Sequence, residues 1–138
     1  MMERMVGTLT PDGMRFGLTS AGRHYLCAIW HRGAGDPSKK TVWIITHDEE
    51  YTLFCDAEGS DWKDAPGNYW GLKKGAPPLG QDDERIAKFP VPQNDHDPWH
   101  GYPVKSGSDK PPMELIDLWC DKSLISKAQK KNLKKGWI

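Results

Sequence analysis

The sequence is poor in cysteine and has no long apolar segment. Its three cysteines are far apart and form no C-x-x-C pair, which argues against a disulfide framework: Cys27, Cys55 and Cys120. We therefore expect buried thiols in a reducing compartment. No stretch approaches the roughly 18 apolar residues of a membrane span, and the first residues, "MMERMVGTLTPDG", lack the apolar core of a secretory signal. These absences predict a soluble, cytoplasmic protein with no membrane partner.

The sequence also lacks the common motifs of nucleotide, metal and acyl-transfer chemistry. It contains no G-x-x-x-x-G-K-[ST] phosphate loop, no G-x-G-x-x-G after a predicted strand, no G-x-S-x-G and no EF-hand loop. We accordingly expect no cofactor and no dedicated metal centre. Any functional site must then be formed by side chains that do not belong to one of these motifs.

Acidic residues are absent from the C-terminal end. All 19 of them lie at or before Asp121, together with 13 basic residues, so residues 1–121 carry a net charge of −6. Residues 122–138 contain six lysines and no acid, and carry +6. An acidic body with a basic end is typical of a protein that uses its charged end for an interaction.

The first 56 residues alternate between short apolar runs and turn-forming residues, which is typical of antiparallel strands. In residues 24–31 both faces of the predicted strand carry apolar groups, which indicates a central strand. The stretch "HDEE" is the predicted tip of a hairpin between the last two strands. We predict an antiparallel meander of four to five strands, drawn from residues 6–9, 14–19, 24–31, 41–46 and 51–55.

The rest of the chain divides into an irregular part and a helical part. Residues 57–112 contain nine of the eleven prolines and half of the 14 glycines, so we expect a long Pro/Gly/Trp-rich segment ordered by its aromatic rings. Residues 113–138 predict two helices, the second capped by Ser126 and Gln129 and ended by Gly136. The predicted architecture is one α+β domain spanning residues 1–138, with both helices on one face of the sheet.

An aromatic loop, residues 93–103 ("QNDHDPWHGYP"), contains the candidate catalytic residues. His96 and His100 have the H-x3-H spacing that places two imidazoles on one face of a helix for zinc. Pro98 lies between them and makes a helix improbable, so the spacing alone does not predict a metal site.

A loop can still bring these side chains together for acid–base catalysis or metal binding. The candidates for such a site are His96, Asp97 and His100, with His47 and Asp48 as completing groups. In the other interpretation the segment is a rigid turn, anchored because the ring of Trp99 is buried.

The predicted last helix is a second candidate for binding. On a helical wheel five of its lysines lie within about 140° of arc: Lys127, Lys130, Lys131, Lys134 and Lys135. Such a face suits phosphates, since each neutralised phosphate releases counterions. A second interpretation is a solvent-exposed face, in which the helix dipole favours lysines near the C-terminal end. In a third, the lysines dock on acidic residues of this protein or of a partner.

Two functions are compatible with these features. We favour a small intracellular binding or accessory protein with a protein or nucleic-acid partner. Its predicted contact residues are Trp99 and Tyr102 in the aromatic loop and Lys127, Lys130, Lys131 and Lys134 in the last helix. The alternative is a small hydrolase or nuclease, metal-dependent or not, that uses His96, Asp97 and His100. A convex loop with a buried Trp99 favours the first hypothesis, and imidazoles that converge in a pocket favour the second.

Overall fold

A computed structural model of the chain describes residues 7–32 and 40–138, where two three-stranded antiparallel sheets and three α-helices form an α+β fold. The first sheet contains β1 (Thr8–Thr10), β2 (Gly13–Phe16) and β3 (Tyr25–Ala28). The second contains β4 (Tyr69–Gly71), β5 (Ile86–Phe89) and β6 (Tyr102–Val104). The helices are α1 (His47–Gly59), α2 (Met113–Asp121) and α3 (Lys127–Lys134), and a 3₁₀ helix covers Ile29–His31. None of the helices in these ranges is both long and apolar enough to cross a membrane.

The first sheet begins with the hairpin that the turn residues predict. Thr10 pairs with Gly13 across the "TPDG" turn, and β2 then pairs with β3. Gly13 has a φ of 140°, and a Cβ there would lie 2.0 Å from the carbonyl oxygen of Cys27, so no other residue fits. Residue 6 of the first predicted strand lies outside the described residues.

The predicted hairpin of residues 41–46 and 51–55 is wrong, because its tip is the first turn of α1. The Thr46 hydroxyl accepts from the backbone N–H of Glu49 at 3.1 Å, and the Glu49 carboxylate accepts from the N–H of Thr46 at 3.1 Å. This is a capping box, and the acidic residues of the first turn also stabilise the helix by interacting with the positive end of its dipole. Residues 41–46 do not form a strand: within this range only Trp43 forms a β-bridge, an isolated antiparallel one with Gly80.

The prediction of one sheet of four to five strands is also wrong. The second sheet lies entirely within residues 57–112, which were expected to be irregular. Its strands are three or four residues long, too short to show a repeating apolar pattern. The helix that packs against strands β3 and β4 is α1, whereas α2 packs chiefly against α3. The capping box of α3, formed by Ser126 and Gln129, is confirmed.

The core between α1 and the two sheets is aromatic. The ring of Phe54, fully buried on α1, lies 4.8 Å from that of Tyr25, 5.4 Å from that of Phe89 and 5.6 Å from that of Trp99, between centroids. Each such pair contributes about 0.5–1.5 kcal/mol beyond the area that it buries. One helix side chain therefore links strands of both sheets to the aromatic loop.

A buried carboxylate joins α1 to β3 and to the 3₁₀ helix. Glu50 is fully buried; the Tyr25 hydroxyl donates to it at 2.5 Å and the Arg32 guanidinium at 2.6 Å. Arg32 also donates to the carbonyl of Ile45. Burial raises the pKa of Glu50 to about 7, although both partners favour its charged form. Burial likewise raises the pKa of the neighbouring Cys27 thiol well above its usual range, so this thiol is not a nucleophile.

Replacing Glu50 by Gln should remove a pH-dependent loss of stability. The native state holds the Glu50 proton up to about pH 7, and the unfolded chain releases it near 4.5. Because the native state binds the extra proton, the free energy of unfolding falls as pH rises through this window. The shift corresponds to roughly 3 kcal/mol.

Urea denaturation from pH 4 to pH 8 measures this effect as the difference in unfolding free energy between wild type and Glu50→Gln. We expect that difference to change across the window; Glu114→Gln, at an exposed residue of α2, is the control for removing a carboxylate that is not buried. A Glu50→Gln difference that is independent of pH would contradict the raised pKa.

Candidate functional site

The aromatic loop is held to the first sheet by Trp99. Its backbone N–H donates to the carbonyl of His24 at 2.9 Å, and its carbonyl accepts from the N–H of Leu26 at 2.7 Å, as in a parallel strand. The side chain is 8% exposed, and its ring lies 5.2 Å from that of Tyr69. The guanidinium of Arg23 covers the ring at 5.6 Å. The predicted burial of Trp99 is confirmed.

Gly101 fixes the loop on the opposite side, against the second sheet. A Cβ at this position would lie 2.2 Å from the ring of Phe89, so only glycine permits the approach. The carbonyl of Gly101 accepts from the indole N–H of Trp43 at 3.1 Å. Two buried tryptophans thus hold the loop between the sheets, and its backbone is ordered before any ligand binds.

The exposed side of the loop forms part of a cavity of about 520 Å³, here called the loop cavity. Apolar side chains form most of its wall, and two carboxylates lie among them. The lining residues include Leu26, Trp30, Pro98, Asp12, Asp97 and His100. The volume falls within the range of small-ligand and side-chain pockets.

His100 and Trp30 meet edge to face in this wall. Their ring centroids are 6.1 Å apart at an angle of 82°. Nδ1 of His100 is buried and has no hydrogen-bond partner in residues 7–32 and 40–138. Burial lowers the pKa of His100 below its usual value, so the ring is neutral at pH 7. Nothing in the sequence indicated that Trp30 or Asp12 belongs to a binding site. Trp30 lies in a predicted strand and Asp12 in a predicted turn, where such residues are common.

The three predicted catalytic residues do not form one site. His96 is exposed and does not line the loop cavity, whereas Asp97 and His100 do. The Asp97 carboxylate accepts from the side-chain amide of Asn94 at 3.1 Å, and this contact closes the turn that contains both residues. Within the described ranges, no group of three or more His, Cys, Asp or Glu side chains is placed to hold a metal ion.

The completing groups predicted from "HDEE" lie elsewhere. His47 begins α1, where its carbonyl accepts from the Cys27 thiol at 3.6 Å. Asp48 lines a separate cavity between α1 and residues 72–74. Tyr102, predicted to contact a partner, does not line the loop cavity and stacks on the ring of His31 at 5.3 Å. The aromatic side chains that the loop cavity does present are Trp30 and His100.

The basic helix α3 divides its lysines between two roles. Nζ of Lys130 and Nζ of Lys134 each lie 3.0 Å from Oδ1 of Asp117 on α2, and these contacts lower the pKa of Asp117. Lys127 and Lys131 are exposed, and neither forms an ion pair with a described residue. Half of the four predicted contact lysines therefore dock on the protein's own acidic side chain.

No protein-family model, no curated protein and no solved structure matches this chain. The function is therefore inferred from the geometry of its cavities and charged surfaces.

Replacing Trp99 by Ala should cost about 3–5 kcal/mol of unfolding free energy, as for other large core aromatics. The loss has two sources: the cavity left among the rings, and the weaker hold of the loop on β3. Trp137→Ala provides a matched control because this ring is 66% exposed. Chemical denaturation should show a loss below about 1 kcal/mol for the control. An equally small loss for Trp99→Ala would mean that the ring does not anchor the fold.

Replacing Lys130 and Lys134 together by Gln should lower the melting temperature, because both lose Asp117. The pair Lys127→Gln and Lys131→Gln has the same change in charge and should leave the melting temperature unchanged. In an Asp117→Asn background the first pair should have no further effect. Equal losses for the two pairs would show that the contacts with Asp117 do not stabilise the fold.

If Lys127 and Lys131 bind phosphate, replacing either one by Gln should flatten the slope of log affinity for an oligonucleotide against log salt concentration by about 1.

Proposed function

We propose that this chain is a binding protein whose loop cavity takes a segment of a partner protein that carries a basic side chain beside apolar ones. The observation that supports this most is the composition of the cavity wall. Trp30, Leu26 and prolines provide an apolar surface, and Asp12 and Asp97 are the only charged side chains that residues 7–32 and 40–138 contribute to it. An apolar pocket with a few polar groups is the usual form of a recognition site.

The order of the aromatic loop favours binding. The backbone hydrogen bonds of Trp99 and the contact of Gly101 with Phe89 hold the wall in place before a ligand arrives. Pro90, Pro92 and Pro98 further restrict the backbone that surrounds the cavity. A preorganised surface loses less conformational entropy on association, so more of the contact energy appears as affinity.

The negative charge of the loop cavity favours a protein partner over a nucleic-acid partner. Neither Asp12 nor Asp97 forms an ion pair with any residue in the described part of the chain. Their carboxylates attract lysine or arginine and repel phosphate. The loop cavity therefore favours a basic protein segment over nucleic acid. Lys127 and Lys131 of α3 remain available as a second contact, for an acidic region of the same partner.

The hydrolase or nuclease alternative has weaker support. No side chain in the described part of the protein accepts from or donates to Nδ1 of His100 to orient its ring, and Asp97 is engaged by Asn94. His96 is exposed and stands apart from the cavity. A general base needs a positioned partner and a substrate site within hydrogen-bond reach, and this arrangement supplies only the cavity. We do not favour this alternative.

The proposal can be tested with two matched sets of short peptides. In one set a central Lys or Arg is flanked by Leu, Val or Pro; in the other a central Glu has the same flanks. We expect binding of the basic set, with NMR shifts at the Trp30 indole and the His100 ring. Asp97→Asn should weaken it by up to about fivefold, the range for one exposed charge pair. Asp12→Lys with Asp97→Lys should reverse the preference toward the acidic set.

Asp95→Asn is the matched control, because Asp95 is exposed in the same loop and does not line the cavity. It should leave the affinity for basic peptides unchanged. Tighter binding of the acidic peptides, or of a short single-stranded oligonucleotide, would overturn the assignment of the partner. Shifts confined to α3 would move the binding site away from the loop cavity.

A further inference from the structure

A second cavity, here called the His31 cavity, has a volume of about 450 Å³ and shares no lining residue with the loop cavity. It lies among the 3₁₀ helix, the turn before β5 and strand β6. Its lining residues include His31, Lys40, Asp82, Glu84, Tyr102 and Lys105. Of the site residues predicted from the sequence, only Tyr102 lines this cavity, which contains more titratable side chains than the loop cavity.

His31 presents a hydrogen-bond acceptor to this cavity. Its Nδ1 lies 2.9 Å from the carbonyl oxygen of Thr41, and because a carbonyl can only accept, Nδ1 must carry the proton. Burial lowers the pKa of His31, so the ring is neutral at pH 7 and Nε2 keeps its lone pair. The residue is only 9% exposed, and it lines the cavity. A buried acceptor of this kind is stabilised when a donor reaches it.

Glu84 presents a carboxylate that makes no direct ion pair with a described residue, although its charge acts on Lys105, which pairs with Asp82. The residue is 4% exposed, and one of its carboxylate oxygens accepts from the N–H of Asp82 at 3.0 Å. No lysine, arginine or histidine of residues 7–32 and 40–138 lies within 4.0 Å of this carboxylate. Burying a carboxylate without a cation is costly, so a cationic ligand would offset part of that cost.

The other two carboxylates of the cavity wall, Asp82 and Asp109, are paired, whereas Lys40 forms no ion pair with a described residue and its charge acts on His31. Lys105 pairs with Asp82 at 3.0 Å, and Lys88 pairs with Asp109. Lys40 is exposed, with its ammonium 5.9 Å from the ring centroid of Trp30. Apart from Lys40, the charged or aromatic side chains of the wall that form no ion pair with a described residue are the buried carboxylate of Glu84 and the rings of His31 and Tyr102. This set accepts hydrogen bonds and carries negative charge, so it disfavours phosphate and carboxylate ligands.

We propose that the His31 cavity is a binding site for a small organic cation, namely an ammonium group attached to an aromatic or aliphatic body. Glu84 is the counter-ion of the ammonium group, and Nε2 of His31 accepts one of its N–H groups. Tyr102, stacked on His31, provides a surface for the apolar body of the ligand. This site is independent of the proposed partner site in the loop cavity.

The test uses benzylamine, which is protonated at pH 7, and benzyl alcohol, its uncharged analogue. We expect wild-type protein to bind the ammonium at least about tenfold more tightly, because its hydrogen bond to a buried carboxylate is charge-assisted. NMR titration should place the largest shifts at the His31 and Tyr102 rings. Glu84→Gln keeps the oxygen that accepts from Asp82, and it should bring the ratio of the two affinities close to 1.

Asp83→Asn is the control, because this neighbouring carboxylate pairs with Arg85 outside the cavity and should leave the ratio unchanged. The ratio is measured within each variant, so a general loss of stability does not imitate the expected result. If Glu84→Gln does not fold, the wild-type ratio and the position of the shifts still decide the question. Equal affinity for the two probes, shifts at Trp30 and His100 instead, or no binding of benzylamine would each overturn the proposal.

Discussion

The backbone pairing of Trp99 with β3 is the contact on which the arrangement of the two sheets depends. In the described part of the chain each sheet has three strands of three or four residues, and a sheet of this size needs a hydrophobic face or a packed helix to be stable. The pairing extends the first sheet with a segment that continues directly into β6 of the second sheet. The ring of Trp99 then meets Phe54 of α1, so one residue contacts both sheets and the helix between them.

The buried pair of Glu50 and Arg32 complements this apolar anchor with a directional one. A hydrophobic core tolerates some rotation of a helix against a sheet, whereas a carboxylate that accepts from both Tyr25 and Arg32 fixes one orientation of α1. Arg32 directly follows the 3₁₀ helix that positions Trp30 and His31. The polar cluster in the core therefore also sets the positions of the aromatic side chains that line the two cavities.

Sequence patterns predicted the parts of this fold that are governed by local contacts. The "TPDG" turn, the last two helices and the burial of Trp99 follow from neighbours in the chain. The strands of residues 57–112 could not be predicted in this way, because each has three or four residues and its partner lies far along the sequence. The helix α1 was predictable from Thr46 and Glu49, yet the β-like run "YTLFC" masked that signal. His31 and Glu84 share a cavity only through long-range folding, and no spacing rule relates them.

The alternation of buried and exposed positions in the aromatic loop has a consequence for how this protein can diverge. Trp99, Gly101 and Pro103 are buried, while residues 93–97 are exposed and contribute few contacts to the core. We expect selection for folding to act on the first set and selection for a ligand to act on the second. Related chains should therefore keep the spacing W-x-G-x-P and differ most in the residues before it. A search for distant relatives should therefore give weight to that spacing.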